Sequence, residues 1–142
     1  MAKIVKGIAH AAFTVKDMDA SVAFYENVFG FKKAFVMNHP QTGKPWIVYV
    51  HVSDDAFIEL FFGGVNEHPF KDENIGYSHL CLEVTDINAA AEAVKAAGAP
   101  LDIEPNLGID GNWQCWTHDP DGNRIELMQM MDDSLQFKYL GK

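Results

Sequence analysis

The apolar positions in the first half of this chain fall into four short runs and one helical pattern. Residues 7–15 form a small, apolar and β-tolerant run, which predicts a strand. Asp17 can cap the helix that follows, in which apolar residues recur at helical spacing until Gly30 ends it. Three later runs predict strands at residues 31–36, 46–52 and 57–62. This half therefore predicts the order strand, helix, strand, strand, strand.

The second half predicts the same order of elements. Residues 76–84 predict a strand, and Asp86 begins an alanine-rich helix that ends at Gly98. Three later runs predict strands near residues 101–104, 113–118 and 123–130. Between the halves, residues 65–75 are largely polar and contain a proline, which is typical of a linker.

Individual residues also repeat at almost constant spacing. A shift of 69 residues aligns His10 with His79, and a shift of 67 residues aligns Glu59 with Glu126. A loop shortened by two residues explains the change, because loops absorb length differences most easily. One such module buries too little surface to be stable alone, which favours two modules with a shared core. We therefore predict a single domain over residues 1–142, made of modules 7–64 and 76–130 and a C-terminal tail, 131–142.

Charge and composition narrow the classes of partner. The formal net charge of -9 disfavours nucleic acid, because neutralising phosphates needs clustered Lys and Arg, and Arg124 is the only arginine. No apolar run approaches the roughly 18 residues of a membrane span. Residues 1–7 contain no apolar segment of signal-peptide length. We therefore expect a cytoplasmic protein with no nucleic-acid or membrane partner.

Two histidines and two glutamates have the wrong polarity for their predicted strands. Glu59 and Glu126 each lie between Ile and Leu in an apolar run, where burial of a lone carboxylate costs several kcal/mol. His10 and His79 lie in mid-strand among small and apolar neighbours. Each residue alone fits an ordinary hydrogen-bonded strand position, but modules packed about a pseudo-twofold axis bring all four together. Two imidazoles and two carboxylates suit one divalent transition metal (Zn, Ni, Co, Mn or Fe), with two open positions for water or substrate.

Other residues near these four have more ordinary interpretations. A turn over residues 53–56 places His51 out of phase with Glu59, which favours a surface role for this histidine. Cys81 shares the strand face of His79, so it is a candidate pocket thiol, but we favour the interpretation of a small buried cysteine. Candidate pocket-lining side chains are Phe61, Trp116 and Met128.

Five segments carry a resemblance to a known family. They are Gly7-Ile8-Ala9-His10, Phe29-Gly30-Phe31, Phe57-Ile58-Glu59-Leu60, Gly76-Tyr77-Ser78-His79 and, as the most specific, residues 119–127. On these segments the chain resembles the vicinal oxygen chelate superfamily, which includes glyoxalase I, over roughly residues 7–130. The resemblance implies an α+β fold in which two βαβββ modules form a cupped, open β-barrel with the helices outside. It also implies metal ligands at His10, Glu59, His79 and Glu126.

The ligand types narrow the activity that this resemblance implies. Glutamate at both positions is the glyoxalase I pattern, whereas methylmalonyl-CoA epimerases typically carry Gln where Glu59 stands. Thr14 occupies the position where glutathione-using bacterial members typically have Arg, and its repeat counterpart Glu83 is negative. The resemblance therefore supports metal-dependent chemistry more strongly than it supports a glutathione substrate.

These observations lead to one hypothesis and two alternatives. The hypothesis is a metal-dependent, glyoxalase I-like lyase or isomerase that moves a proton between adjacent carbons of a small α-hydroxycarbonyl or thiohemiacetal through an enediolate. The resemblance makes Glu126 the first candidate for the catalytic base, with Glu59 as its symmetric counterpart. The alternatives are an Fe(II) extradiol-type dioxygenase using His10, His79 and one Glu, and a non-catalytic protein that binds a small molecule such as an antibiotic. Since the family often dimerises, we expect a homodimer, with the metal site within one chain or across the interface.

Overall fold

The chain folds into two compact units, each built around a four-stranded sheet. The computed structural model describes residues 3–142. Met1 and Ala2 lie outside the described residues. Both belong to the predicted domain and to the N-terminal segment that is expected to lack a signal peptide. The first unit ends at Glu67 and the second runs from His68 to Lys142, so the boundary falls inside the predicted linker.

The first unit has the element order that its sequence pattern predicts. Its elements are β1 (His10–Thr14), α1 (Met18–Phe29), β2 (Lys32–Asn38), β3 (Pro45–Ser53) and β4 (Ala56–Phe61). The strand order is β1-β4-β3-β2, with β1 parallel to β4 and the other pairs antiparallel. The Asp17 side chain caps α1 by accepting a hydrogen bond from the backbone N–H of Ala20. Gly30 ends the helix with a φ of 70°, a conformation that glycine adopts without strain.

The second unit repeats the first. Its elements are β5 (Leu80–Glu83), α2 (Ile87–Ala96), β6 (Ile103–Leu107), β7 (Trp113–His118), β8 (Arg124–Gln129) and α3 (Leu135–Leu140). The strand order is β5-β8-β7-β6, again with one parallel pair, β5 with β8. The α+β class and the two βαβββ modules are therefore confirmed.

One face of each sheet is aliphatic and buried, and this face determines where the glutamates point. Ile58 and Leu60 of β4 and Ile125 and Leu127 of β8 are at most 1% exposed. Helix α1 contacts β4, and α2 contacts β7 and β8. Because successive strand residues point to opposite faces, Glu59 and Glu126 project from the face opposite these aliphatic side chains.

The first strand of each unit is shorter than predicted. β1 begins at His10, and His79 lies one residue before β5, so neither histidine is in mid-strand. Two physical reasons explain the difference. Gly76 has a φ of 135°, which interrupts an extended strand. In addition, β1 pairs only with β4, and their ladder begins where His10 lies opposite Phe57.

The C-terminal tail forms the short helix α3, which is anchored to the second unit. Ser134 caps this helix by accepting from the backbone N–H of Phe137. The side-chain amide of Gln136 donates to Asp110 Oδ2 at 2.7 Å and accepts from Asn112 Nδ2 at 2.9 Å. The tail is therefore attached to the loop between β6 and β7. No helix within residues 3–142 combines the length and the apolar character needed to cross a lipid bilayer.

Candidate metal centre

The register of the first sheet brings His10 to Glu59. Ala12 of β1 lies opposite Glu59 of β4, and His10, two residues earlier, points to the same face. The His10 Nε2 atom lies 3.5 Å from Glu59 Oε2. The His10 side chain is 48% exposed, whereas that of Glu59 is 9% exposed. A solvent-accessible imidazole therefore contacts an almost buried carboxylate.

Glu59 has a second partner on β3. Tyr49 lies directly opposite Glu59 in the antiparallel pair of β3 and β4. The hydrogen bond from the phenol to the Glu59 carboxylate raises the pKa of Tyr49 above its ordinary value, and burial and the negative charge of Glu59 act in the same direction. The Tyr49 ring stacks on Phe35 with 4.4 Å between the ring centroids. In the first unit, the Glu59 carboxylate therefore lies between an imidazole and an aromatic surface.

The second unit contains the equivalent pair in a closer contact. The His79 Nε2 atom lies 3.0 Å from Glu126 Oε2. The His79 side chain is 31% exposed and that of Glu126 is 8% exposed, so this pair is better shielded from water. The Trp116 indole, on β7 opposite Glu126, contacts the imidazole edge to face with 4.7 Å between ring centroids. Trp116 therefore lies beside the His79–Glu126 pair.

Cys81 also contacts Glu126. The two residues lie opposite each other in the parallel pair of β5 and β8. Desolvation, followed by the charge of Glu126 and a hydrogen bond to its carboxylate, raises the pKa of the Cys81 thiol to about 12. The residue as a whole is exposed, which corrects the expectation of a buried cysteine. The register explains this, because it places Cys81 on the open face with Glu126 rather than on the aliphatic face.

A serine and an arginine form a line of hydrogen bonds that ends at the His79 imidazole. Ser78 Oγ lies 2.9 Å from His79 Nδ1, and Arg124 Nη2 donates to the same Ser78 Oγ at 2.9 Å. The Arg124 guanidinium stacks over the Phe70 ring, 3.6 Å from its centroid. The sequence reasoning identified neither Ser78 nor Arg124 as a site residue. The available signals were the position of Ser78 next to one predicted ligand and that of Arg124 two residues before another.

The predicted ligands therefore come together as two pairs, one in each unit. Across residues 3–142, no group of three or more His, Cys, Asp or Glu side chains forms a cluster that could hold a metal ion. The donor set nevertheless fits a divalent transition ion, because each pair offers one imidazole nitrogen and one carboxylate. Each carboxylate is also nearly buried and lies beside no lysine or arginine in the described ion pairs. The binding of all four residues to one ion stays a prediction.

His51 differs from its predicted position. A register shift between His51 and Ser53 places His51 opposite Phe57, on the face of Glu59, which corrects the expectation that it is out of phase. The ring centroids of His51 and Phe57 are 5.3 Å apart. The Nε2 atom of His51 lies 2.9 Å from the backbone oxygen of Asp54, and the side chain is exposed. The imidazole therefore stabilises the hairpin turn, in agreement with the predicted surface role.

Comparisons with known proteins extend over both units. Residues 7–127 match the family model described as the Glyoxalase/Bleomycin resistance protein/Dioxygenase superfamily. The chain is 30% identical over 127 residues to a lactoylglutathione lyase from Haemophilus influenzae, covering 86% of this chain and 91% of that protein. It is 32% identical over 127 residues to a probable lactoylglutathione lyase from Vibrio cholerae, covering 86% and 89%. Among solved structures, a glyoxalase I mutant from Zea mays has a TM-score of 0.73 and 25% identity over 88% of this chain and 46% of that chain.

Proposed function

Because this chain belongs to the glyoxalase/bleomycin resistance protein/dioxygenase superfamily, we propose that it is a metal-dependent, glyoxalase I-like lyase or isomerase. The proposed substrate is a small α-hydroxycarbonyl or thiohemiacetal. The observation that carries this proposal is the His–Glu contact at the same position of each module. Burial of a carboxylate costs several kcal/mol. Two buried carboxylates would not improve ligand binding at a site that bound its ligand through apolar contacts alone.

The proposed ligands are the members of the two pairs: His10, Glu59, His79 and Glu126. When bound there, a divalent transition ion polarises the substrate carbonyl and stabilises negative charge that develops on its oxygen. The near-burial of Glu59 and Glu126 supports this assignment, since a carboxylate shielded from water interacts more strongly with a cation. His10 and His79 retain enough exposure for their nitrogen atoms to be reached from solution.

Glu126 is the proposed base. Its carboxylate takes the proton from the hydroxyl-bearing carbon and returns it to the adjacent carbonyl carbon, while the hydroxyl proton moves to the oxygen of that second carbon. The reaction is then an internal redistribution that needs no external oxidant or reductant. The 6% exposure of Glu126 supports this role, because a shielded carboxylate retains the transferred proton better than a solvated one.

Metal analysis combined with a proton-transfer assay tests the proposal. Protein purified without chelator is analysed for transition metals and then incubated in D₂O with thiohemiacetals of one 2-oxoaldehyde, formed with glutathione or with a small thiol, and with a thiol-free α-hydroxyketone. We expect a bound transition ion and isomerised product whose proton-acceptor carbon carries mainly the hydrogen taken from the substrate, because the shielded Glu126 carboxylate exchanges that proton slowly with D₂O. Protein that binds none of these metals and converts none of the substrates would instead be a binding protein. Oxygen consumption with catechols would identify the extradiol dioxygenase.

We further propose that the protein acts as a homodimer, and mixing two variants shows whether the partners share a site. The double variant His10→Ala with Glu59→Ala removes both proposed ligands from the first half of a site, and His79→Ala with Glu126→Ala removes both from the second half. If each site combines halves from different chains, a mixed dimer carries one intact site, and random mixing restores about a quarter of wild-type activity. If each chain forms its own site, mixing restores nothing. Light scattering of the wild-type protein gives its oligomeric state.

A further inference from the structure

Four side chains of the second unit form a continuous line of polar contacts. Arg124 Nη2 lies 2.9 Å from Ser78 Oγ, which lies 2.9 Å from His79 Nδ1. On the other side of the ring, His79 Nε2 lies 3.0 Å from Glu126 Oε2. Arginine can only donate hydrogen bonds, so Ser78 Oγ accepts from Arg124. The hydroxyl proton of Ser78 then remains free to be donated to His79.

The two nitrogen atoms of the His79 ring therefore need different protonation states in the metal-free and the metal-bound protein. With the Glu126 carboxylate beside Nε2, the metal-free protein favours the tautomer with its proton on Nε2, and Nδ1 accepts from the Ser78 hydroxyl. When Nε2 is a ligand, the neutral ring must carry its proton on Nδ1, which then donates. A serine oxygen has one proton and two lone pairs, so Ser78 can serve both tautomers while it accepts from Arg124.

On the basis of the proposed function, we propose that Ser78, held by Arg124, is a positioning residue that orients the His79 imidazole for metal binding: its hydroxyl donates to Nδ1 in the metal-free protein and accepts from the Nδ1 proton when Nε2 is a ligand. The surroundings hold this line of contacts in place. The Arg124 guanidinium is stacked on Phe70, and the Trp116 indole contacts the His79 ring. Arg124 forms no ion pair with a carboxylate within the described part of the chain, and its buried Nε has no hydrogen-bond partner there. Its described polar contact is thus the one to Ser78.

The first unit provides an internal control, because it lacks this support. At the repeat shifts of 69 and 67 residues, Ala9 corresponds to Ser78 and Phe57 corresponds to Arg124. Neither an alanine nor a phenylalanine side chain can donate or accept a conventional hydrogen bond. Consistent with this, the His10 ring is more exposed than that of His79 and lies farther from its glutamate. The histidine of the second unit is therefore the one oriented before a metal arrives.

The first experiment measures metal affinity. Zn²⁺ affinity is determined by chelator competition for the wild-type protein and for Ser78→Ala, Ser78→Thr, Arg124→Met and Ala9→Ser, with thermal unfolding as the check on folding. We expect Ser78→Ala to weaken binding about 10- to 100-fold, as is usual for residues that orient a metal-ligating histidine. Arg124→Met should weaken it less, since Ser78 remains. Ser78→Thr retains the hydroxyl and should restore binding, and Ala9→Ser should leave the affinity within about twofold of wild type.

The second experiment observes His79 without metal. Two-dimensional NMR of the imidazole nitrogens in metal-free protein should show the tautomer protonated on Nε2 in both the wild type and Ser78→Ala, because Glu126 favours it, while the Nδ1 resonance should shift in Ser78→Ala because the hydroxyl donor is lost. Zinc binding by Ser78→Ala with wild-type affinity, or an unchanged Nδ1 resonance in that variant, overturns the positioning role while leaving the proposed function intact. A wild-type protein that binds no transition ion overturns both proposals. An equal loss of affinity in Ala9→Ser, with folding unaffected, would show that the effect is not specific to His79.

Discussion

The two modules share the face that holds the fold together and differ on the face that carries the site. On the aliphatic face, Ile58 and Leu60 of the first module correspond to Ile125 and Leu127 of the second, and all four are buried. On the open face, the histidine and the glutamate recur but their neighbours do not. The differing pairs are Ala9 and Ser78, Ala12 and Cys81, Tyr49 and Trp116, and Phe57 and Arg124. A βαβββ module thus needs its aliphatic face, whereas its open face is available for chemistry.

These differences give the two proposed halves of the site distinct capabilities. The first half presents the stacked rings of Phe35 and Tyr49 beside its glutamate, which suits contact with an apolar part of a substrate. The second half presents a hydrogen-bonded histidine, a protonated thiol at Cys81 and the cation of Arg124. We therefore expect the proton-transfer chemistry to depend more on the second half than on the first.

Matched substitutions of the two glutamates should have the largest effects. Glu126→Gln removes the proposed base and should lower kcat about 10²- to 10⁴-fold while the protein retains metal. Glu59→Gln keeps an oxygen donor at the other half and should lower kcat less than about tenfold. Steady-state kinetics and metal content of the two purified variants check this prediction. Equal losses of kcat would mean that the modules divide the chemistry evenly, and full activity of Glu126→Gln would remove it from the role of base.

Matched substitutions in the aliphatic face should instead have equal effects. Leu60→Ala and Leu127→Ala each remove a fully buried side chain at the same repeat position and should each lower the free energy of unfolding by about 2–5 kcal/mol. Urea unfolding followed by circular dichroism measures both losses. Leu107→Ala, at a residue that is 59% exposed, is the control and should change stability by less than about 0.5 kcal/mol. A large cost in only one module would show that the two aliphatic faces are not equivalent.

Local signals in the sequence predicted much of this fold. Asp17 and Asp86 are the N-caps of the two long helices, and Gly30 ends the first of them, as their residue types indicate. The strand predicted at residues 113–118 has the bounds that the structure shows. These features depend on neighbours within a few residues, and such neighbours can be read directly from the sequence.

Features that depend on strand pairing could not be predicted in the same way. The bond between Ser78 and Arg124 joins residues 46 positions apart, and it forms because the register of β5 and β8 brings their ends together. The face of His51 depends on a one-residue irregularity in β3, which changes the face without changing the composition of the strand. The pairing of each histidine with the glutamate of its own module follows from the parallel ladders, which periodicity alone does not specify.

Within residues 3–142, the second module has a helix after its last strand and the first module does not. Acid should weaken the attachment of this helix, α3. Hydrogen bonds, mainly from Gln136 and then from Asn112, lower the pKa of Asp110 despite partial desolvation. A carboxyl group whose pKa is lower in the folded state than in the unfolded state, where it is about 3.9, stabilises the fold at pH values above the unfolded-state pKa. This stabilisation is lost as the pH falls through the folded-state pKa. The protection of the α3 amides, measured relative to their intrinsic exchange rate at each pH, should therefore fall below about pH 4 in the wild type.

Asp110→Asn should remove this acid dependence and lower stability near neutral pH by about 1–2 kcal/mol, since both carboxylate oxygens of Asp110 accept hydrogen bonds and asparagine has only one acceptor oxygen. Hydrogen exchange of the α3 amides across a pH series measures both effects. Asp72→Asn, at an exposed position in the linker, is the control and should leave the α3 profile unchanged. Identical acid profiles for Asp110→Asn and the wild type would mean that α3 is attached to the second module by other contacts.

The smallest expected difference concerns the two helix caps. Asp86 accepts hydrogen bonds from two backbone N–H groups, those of Asn88 and Ala89, whereas Asp17 accepts from one. Helix α1 also carries Tyr25, which is fully buried and packs against Phe29, while the buried side chains of α2 are aliphatic and include no aromatic ring. The second helix therefore depends more on its cap than the first does.

We accordingly expect Asp86→Ala to lower the free energy of unfolding by about 1–2 kcal/mol and Asp17→Ala by about 0.5–1 kcal/mol. Thermal or urea unfolding of the two variants measures the difference. The corresponding Asn substitutions should restore most of the loss, because asparagine also accepts hydrogen bonds at an N-cap. A larger loss for Asp17→Ala would show that aromatic packing does not compensate for a weaker cap, and that the scaffolds of the two modules differ in more than their helix ends.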